Sequence, residues 1–227
     1  KLSALSSLFD YLCERNGVAG NLVDGVKRPM ANGNEGSTQA RKLLDAPATD
    51  TLKGMRDRGI LATLLYHGIR SEELCSLRVR DIQSRQGVKH FRIKGKRDKI
   101  QFMPVHAMAQ RLIEEYLQRA GHGDDVAGPL FRPVKNNHTG ELRRHLDPGS
   151  VYTNVVRKYG LETGISAEVN GLCVHSLRAT AATNALSHDS DIAKVQEWMG
   201  HANVSTTRLY DRRKTRPEES PTFRVKY

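Results

Sequence analysis

Residues 198–210 read Trp-Met-Gly-His-Ala-Asn-Val-Ser-Thr-Thr-Arg-Leu-Tyr, and residues 175–178 before them read His-Ser-Leu-Arg. The two segments place two histidines, an arginine and a tyrosine in one short part of the chain. A tyrosine hydroxyl is a weak nucleophile at neutral pH because its ordinary pKa is about 10. It becomes effective where fixed cations stabilise the developing negative charge and a neighbour accepts the proton. The pattern therefore predicts a site at which tyrosine attacks an anionic group.

The net charge of the chain indicates which anion to expect. The 227 residues include 36 Lys and Arg against 25 Asp and Glu, so the formal net charge is +11 at pH 7. A positive balance of this size is typical of domains that bind nucleic acid, and a phosphodiester is the expected substrate class. A basic protein of another function would carry the same charge, since net charge alone reports on solubility and non-specific binding.

Composition also narrows the class of protein. The sequence has no run of roughly 18 apolar residues, as a membrane span requires, and no secretory signal is recognisable. The three cysteines, Cys13, Cys75 and Cys173, are odd in number and lack metal-ligand spacing. We therefore expect a reduced, cytoplasmic protein without a structural metal.

The N-terminal part of the chain predicts one helix and then a linker. Apolar residues recur at helical spacing over residues 2–12, and the chain begins at Lys1 rather than at Met. Residues 1–27 are therefore expected to be the remnant of an upstream domain in a longer protein. Residues 28–49 are rich in Gly, Asn, Pro and Ser, which is typical of an interdomain linker.

A second domain is predicted over residues 50–227, mainly helical with three short strands. Its first helix should end at Gly68, and a second should be capped by Ser71. Alternating apolar residues separated by turn glycines predict strands near 79–83, 88–93 and 100–104. Further helices are predicted at 106–120, 150–159, 176–186, 191–199 and 205–211.

Each candidate site residue has an ordinary explanation when it is taken alone. A His-x-x-Arg pair such as His175 and Arg178 occurs by accident in a chain this rich in both residues. His201 follows a turn glycine and could be a satisfied structural histidine, and Tyr210 could be a half-buried core aromatic. Only the combination of these residues predicts a site.

Taken together, the motifs resemble the C-terminal signature of the tyrosine recombinase family. That signature runs His-x-x-Arg, then Leu-Gly-His or a close variant, then Thr-x-x-Tyr. Its first arginine lies upstream in a Gly-[Leu/Ile/Met]-Arg-x-x-Glu-[Leu/Ile] segment, which residues 68–74 match through Arg70 and Glu73. Its lysine lies on a β-hairpin, where residues 95–99 read Gly-Lys-Arg-Asp-Lys and point to Lys96. Lys94 is the second choice for this lysine.

The resemblance implies a fold and an assembly. The fold expected is a mainly helical α+β catalytic domain with a small antiparallel three-stranded sheet, preceded over residues 1–27 by the remnant of a core-binding domain. The implied partners are double-stranded DNA, further copies of the chain in a tetramer on DNA, and accessory DNA-bending proteins. The tail, residues 212–227, ends in a strand-like segment that would contact a neighbouring subunit or fold back.

The resemblance also implies a catalytic arginine pair and a nucleophile. Arg70 and Arg178 would clamp the non-bridging phosphate oxygens through bidentate hydrogen bonds, and Tyr210 would attack phosphorus. The product would be a 3′-phosphotyrosine with a free 5′-hydroxyl. Because the covalent link stores the bond energy, no nucleotide cofactor is expected, and the cations make a metal ion unnecessary.

The remaining roles concern protons and orientation. His201 would donate to a phosphate oxygen, His175 would accept or relay the Tyr210 proton, and Lys96 would protonate the departing 5′ oxygen. Glu73, one turn after Arg70, would orient the arginine or the hairpin, or it is a solvated helix carboxylate.

Two positions depart from the family pattern, and two other functions fit part of it. Ala179 stands where many members carry a further histidine, and Met199 replaces the usual leucine, which is a volume-conserving change. A type IB topoisomerase shares the chemistry but relaxes supercoils as a monomer. A DNA-binding module without catalysis would explain the charge, although it would have no use for a nucleophile with a complete cation set.

Overall fold

A computed structural model describes residues 33–95, 99–135, 140–165, 172–201 and 203–211. All of them belong to one compact unit, residues 32–227. The predicted remnant helix within residues 1–27 and the tail, residues 212–227, lie outside the described residues. Within the described part of the chain, none of the helices combines the length and the apolar content needed to cross a bilayer.

Three helices open the unit, and their ends are set by local chemistry. The second begins at the N-cap Thr51, whose Oγ1 accepts a hydrogen bond from Gly54 N at 3.0 Å. It ends at Gly68, which adopts a left-handed conformation (φ 57°) that glycine tolerates without steric cost. The bounds are Gly33–Asp45 for α1, Leu52–His67 for α2 and Ser71–Ser76 for α3.

The sheet follows α3 and has three antiparallel strands in chain order. A 3₁₀ turn, Val79–Asp81, precedes β1, and β2 lies in the centre, with Phe91 paired to Ile82 on one side and to Met103 on the other. Phe91, Ile93 and Met103 are buried, so one face of the sheet packs on the core. The strands are Ile82–Arg85 for β1, Val88–Lys94 for β2 and Ile100–Pro104 for β3.

The remaining regular elements of the described chain are helices, and the segments 121–135 and 140–147 are irregular. The first of these helices is amphipathic, because its buried residues Ala109, Leu112, Ile113 and Tyr116 recur at helical spacing. The stretch 148–162, which we call α5, passes from an α-helical part through a π-helical part, Tyr152–Arg157, and back to α-helix. The other bounds are Ala107–Ala120 for α4, Val174–Ser187 for α6, Ile192–Met199 for α7 and Val204–Arg208 for α8.

Helix α2 lies at the centre of the core and packs against α1, α4 and α6. It is buried on nearly all sides, and it even buries Arg56 and Asp57. The approach to the preceding chain is close: a Cβ added at Gly54 would lie 1.8 Å from the carbonyl oxygen of Ala48. Only glycine fits at this position, and the central helix is thereby fixed against the segment that leads into it.

The prediction of a mainly helical domain with a small antiparallel sheet is confirmed, but local details differ. Helix α1 lies inside residues 28–49, where an irregular linker was expected, because burial of Leu43 and Leu44 in the core outweighs the helix-breaking composition. The cap of α3 is Arg70 rather than Ser71. Strand β1 begins at Ile82 rather than near residue 79, because residues 79–81 form the 3₁₀ turn. The division into domains stays a prediction.

Candidate active site

The sequence-predicted site residues that the structure describes lie at the ends of helices. Arg70 is the N-cap of α3, two residues after the glycine that ends α2. His175 and Arg178 occupy the first turns of α6, His201 follows α7, and Tyr210 follows α8. Helix ends expose main-chain donors and acceptors, so side chains near these positions can form hydrogen bonds with main-chain groups as well as with a ligand.

Arg178 is buried and held by two helix C-termini. Its guanidinium donates from Nη1 to the carbonyl oxygen of Gly68, at the end of α2, and from Nη2 to that of Met199, at the end of α7. Helix C-termini carry partial negative charge, which favours a cation there. Burial and then the nearby charge of Arg70 lower the pKa of Arg178, while Glu73 and Tyr210 act in the opposite sense. The side chain is therefore fixed in position by neutral partners and keeps its charge.

Arg70 is anchored by one carboxylate through two contacts. Glu73 Oε2 accepts a hydrogen bond from Arg70 N at 2.8 Å, which caps α3, and Glu73 Oε1 lies 2.7 Å from Arg70 Nη1. The Arg70 side chain stays 40% exposed, whereas Glu73 is 11% exposed. The ion pair thus restricts the guanidinium and leaves it accessible.

The two arginines and His175 share one cleft of about 170 Å³. His175 lies at its exposed rim, and partial burial, followed by the charges of Arg178 and Arg70, lowers the pKa of the imidazole. His175 is therefore neutral near pH 7 and can accept a proton. The cleft is lined by Ile69, Arg70, Ser71, Glu72, Val174, His175 and Arg178.

The His201 ring is neutral and contacts the side chain of Thr207. Burial first, and then Arg178, Arg70 and His175, lower the pKa of His201 to about 4, so the ring is neutral. Its Nδ1 lies 2.9 Å from Oγ1 of the buried Thr207. When the Thr207 hydroxyl donates to Nδ1, the proton of the neutral ring lies on Nε2, which becomes a donor for a ligand.

Tyr210 lies beside His201 rather than in the arginine cleft. The two ring centroids are 6.0 Å apart with an interplanar angle of 31°. Tyr210 N donates to Thr207 O at 3.0 Å, and the ring packs against the small cluster formed by α6 and α7. His175, which we predicted as the acceptor of the tyrosine proton, lines the cleft instead, so its role stays a prediction.

The predicted lysine, Lys96, lies outside the described residues. Gly95 N donates to Lys99 O at 2.8 Å, so the residues on either side of the 96–98 segment are joined. The second choice, Lys94, is the exposed last residue of β2 and pairs in register with Ile100. The choice between the two lysines remains open.

Two further residues belong to the site, and the sequence did not assign them a role. Thr207 entered the sequence analysis only as part of the Thr-x-x-Tyr motif, yet its buried hydroxyl lies 2.9 Å from His201 Nδ1 and holds the ring. Gln101, on β3, reaches the last turn of α7 just before His201, and no local pattern could have indicated a contact between residues so distant in sequence. Among the described residues, no group of three or more His, Cys, Asp and Glu side chains is arranged to hold a metal ion.

Together these residues form a cationic site built for an anion. One guanidinium is fixed by main-chain carbonyls and another by a carboxylate, and both line one cleft. A neutral histidine, held by Thr207, lies next to a tyrosine. Planar guanidiniums bind phosphate oxygens through paired hydrogen bonds, so the geometry suits a tetrahedral phosphate.

The sequence matches a known family model over most of its length. Residues 36–216 match the model of the phage integrase family. Tyrosine recombinase XerC of Pelobacter propionicus is 32% identical over 214 residues, which cover 92% of this chain and 66% of the relative. Tyrosine recombinase XerD of Proteus mirabilis is 32% identical over 219 residues, with 92% and 65% covered. The chain thus spans about two thirds of the length of these relatives.

Solved structures agree in fold. The XerH site-specific recombinase bound to palindromic difH substrate, in a post-cleavage complex, superposes with a TM-score of 0.62 at 27% identity and covers 83% of this chain and 52% of that one. A lambda integrase dimer bound to a COC′ core site gives a TM-score of 0.56 at 16% identity, covering 95% and 60%. At that lower identity the likeness concerns the fold alone. With the family model, the recombinase relatives and the fold in agreement, this chain belongs to the phage integrase family of tyrosine recombinases.

Proposed function

We propose that this chain is the catalytic part of a site-specific DNA recombinase, or integrase, that cleaves and rejoins DNA through a 3′-phosphotyrosine intermediate. The observation that carries the proposal is the arginine cleft. Arg178 is buried with carbonyl partners that leave its charge unneutralised, and Arg70 faces the same cleft. A bound phosphodiester would supply the missing negative charge.

The two arginines and His201 would stabilise the transition state. Negative charge spreads over the non-bridging oxygens as the bond to phosphorus forms, and donors fixed beforehand require little rearrangement at that moment. Arg178 meets this condition because two helix ends hold it, and His201 meets it because Thr207 holds its ring. Binding of the anion would raise the pKa of His201 toward its ordinary value and strengthen its hydrogen bond.

The step itself balances without an added reactant. The Tyr210 oxygen forms a bond to phosphorus while the bond from phosphorus to the 5′ oxygen breaks. The tyrosine proton passes to a neutral imidazole, for which we propose His175, and the departing oxygen takes a proton from Lys96. Attack of a 5′-hydroxyl from another strand reverses the step and completes strand exchange, so neither a metal ion nor a nucleotide is required.

Partners follow from the same chemistry and from the solved relatives. XerH and lambda integrase were solved bound to DNA, the latter as a dimer on its core site. We propose double-stranded DNA as the ligand of this chain and a tetramer on DNA as its active assembly, with accessory DNA-bending proteins where the target requires them. A cytoplasmic location remains a prediction. A type IB topoisomerase-like nicking and closing activity is the alternative, which the recombinase relatives do not favour.

The test is the capture of a covalent complex. A nicked suicide substrate loses the fragment that carries the 5′-hydroxyl, so the protein should remain attached to DNA after denaturation. Tyr210→Phe should abolish this adduct, and EDTA should leave it unchanged. Tyr152→Phe, a change at another half-buried tyrosine, serves as the matched control and should retain it. An adduct formed by Tyr210→Phe, or one lost in EDTA, would contradict the nucleophile or the metal-free step, respectively.

A second assay separates the alternative. A topoisomerase would relax supercoiled plasmid as a monomer, whereas a recombinase should exchange strands between two sites and show cleavage that depends on assembly. A relaxation rate that rises only in proportion to protein concentration, on plasmid without target sites, would favour the topoisomerase.

A further inference from the structure

The end of α7 presents four carbonyl groups that cannot bond within the helix, and their partners can be identified. His201 N donates to Gln196 O at 3.0 Å and Gly200 N donates to Glu197 O at 2.9 Å, which is the Schellman arrangement at a glycine with φ 60°. These two bonds do not include the carbonyls of Trp198 and Met199, which lie directly before the turn that carries His201.

Side chains from two other elements donate hydrogen bonds to these last two carbonyls. Arg178 donates to Met199 O, as described above. Gln101 Nε2 donates to Trp198 O at 3.1 Å and also contacts Glu197 O at 3.3 Å. The turn before His201 is therefore attached on one side to the arginine clamp and on the other side to strand β3.

Gln101 lies on the hairpin formed by β2 and β3, so its contact joins this hairpin to the end of α7. Gln101 pairs in register with Ile93 on β2, one pair before Lys94 and Ile100 at the last described rung of the hairpin. Lys94, the second choice for the lysine, is the last residue of β2 at this end of the hairpin. One amide thus connects the hairpin to the turn that carries His201.

We propose that Gln101 is a positioning residue, which holds the His201 turn at a fixed spacing from strands β2 and β3 so that the His201 ring stays aligned for a bound phosphate. The inference rests on the proposed function. Gln101 itself contacts main-chain carbonyls and acts through other residues. Loss of its amide N–H groups would leave the Trp198 carbonyl without this donor and would free the hairpin from the turn.

The test replaces the amide while keeping the length of the side chain. Gln101→Met matches the size of glutamine and cannot donate, so cleavage should fall roughly tenfold, the effect of about one lost hydrogen bond. DNA affinity should stay within about twofold, since the main-chain contact is not with DNA. Gln101→Glu, whose carboxylate can only accept, should show a loss at least as large and serves as the second variant if the first is poorly folded.

The matched control lies on the same sheet. Gln83 on β1 is also half-buried and donates to one carbonyl, that of Arg80 in its own turn at 3.3 Å. Gln83→Met changes the same chemistry without touching α7 and should leave cleavage as in the parent protein. Fluorescence-monitored unfolding of all three variants allows rates to be corrected for the folded fraction.

A double-mutant cycle separates positioning from general stability. If Gln101 acts through His201, Gln101→Met should cost much less than tenfold in a His201→Ala background, because no imidazole donor remains to be positioned. Fully additive losses in this cycle, or cleavage by Gln101→Met equal to the parent, would overturn the inference. Failure of the parent protein to form any covalent adduct would instead overturn the proposed function.

Discussion

Two arginines in this domain are buried to nearly the same degree and are partnered differently. Arg56 is 5% exposed and Arg178 is 4% exposed. Arg56 donates from Nε and Nη2 to one oxygen of the fully buried Asp57, at 2.9 and 2.7 Å. Lys53 and the Tyr159 hydroxyl, the latter at 2.9 Å, bind the other oxygen. Arg178 instead donates to two main-chain carbonyls.

The difference separates an arginine whose charge the protein itself neutralises from one whose charge is available to a ligand. A buried charge is costly unless an opposite charge or a full set of hydrogen bonds compensates for it. Around Asp57 the protein itself supplies the opposite charge, and the group is complete without a ligand. Among the described residues no carboxylate lies within ion-pair distance of Arg178, and the charge of Glu73 acts on it only from further away, so the attraction for an anion remains. A buried arginine that is bonded to main-chain carbonyls rather than to a carboxylate therefore marks a candidate phosphate site.

The largest effect should come from breaking the complete group. Asp57→Asn leaves Arg56 buried without its counter-ion, and the free energy of unfolding should fall by about 3–5 kcal/mol in urea titrations. The control is Asp45→Asn, because Asp45 also contacts two arginines but is 44% exposed, and it should cost less than about 1 kcal/mol. Similar losses for the two variants would mean that burial does not distinguish these ion pairs.

The second effect concerns Arg178, whose charged group is bonded to main-chain carbonyls. Lysine cannot reach both Gly68 O and Met199 O with a planar fork, so Arg178→Lys should lower cleavage by about 10²- to 10³-fold. DNA affinity should change little, because one phosphate contact among many is altered. Arg56→Lys is the counterpart: stability should fall while cleavage per folded molecule is retained. Equal losses of binding and cleavage in Arg178→Lys would identify it as a phosphate anchor only.

The third effect extends the comparison to a buried group that is kept neutral. His67 is 1% exposed, contacts Thr63 O at 3.1 Å through Nδ1, and accepts from His106 N at 3.0 Å. Burial is the main cause that lowers its pKa from 6.5 to about 4. The stability that the neutral ring provides is complete above pH 6.5 and declines as the pH falls toward 4, because the unfolded chain takes up the proton first.

Between pH 7 and 5 this histidine should remove about 2 kcal/mol from the free energy of unfolding. His67→Gln should flatten the decline by that amount, whatever its effect at pH 7, and urea titrations at several pH values would measure it. The same change at the exposed His188 should leave the slope as in the parent. An unaltered slope in His67→Gln would show that the buried ring does not govern acid sensitivity.

The smallest effect tests the half-exposed arginine. Glu73→Gln keeps an acceptor for Arg70 N and removes the charge that restrains the Arg70 side chain. Because that side chain is 40% exposed, the loss of cleavage should be only roughly five- to tenfold. Glu72→Gln, at the neighbouring exposed carboxylate, should have less effect. A loss as large as that of Arg178→Lys would mean that Glu73 takes a more direct part.

The sequence predicted those parts of the molecule that depend on local chemistry. Helix α2 was predicted because its apolar residues and Gly68 follow each other along the chain. The motif residues Arg70 and Arg178 were found by pattern, and both prove to face one cleft. Helix α1 was missed, since its stability comes from packing of Leu43 and Leu44 rather than from composition.

What the sequence could not supply are contacts between distant residues. The carbonyl partners of Gln101 lie 96 and 97 residues away, and those of Arg178 are main-chain groups that carry no signature in the side chains. The Asp57 group likewise needs Tyr159, 102 residues later. Such pairings depend on the complete tertiary structure, so they emerge only when helices and sheet are placed together.

The contact of Arg178 with two helix ends also determines when the proposed DNA cleavage can begin. The bond from Arg178 to Gly68 joins residues 110 positions apart, so it can form only after most of the domain has been synthesised and folded. A chain cut between Gly68 and Arg178 would keep the tyrosine but lose the covalent continuity that brings Gly68 to the guanidinium. If the proposed function is correct, such a fragment should bind DNA through its basic charge without cleaving it. The proposed cleavage would then depend on an intact and fully folded domain.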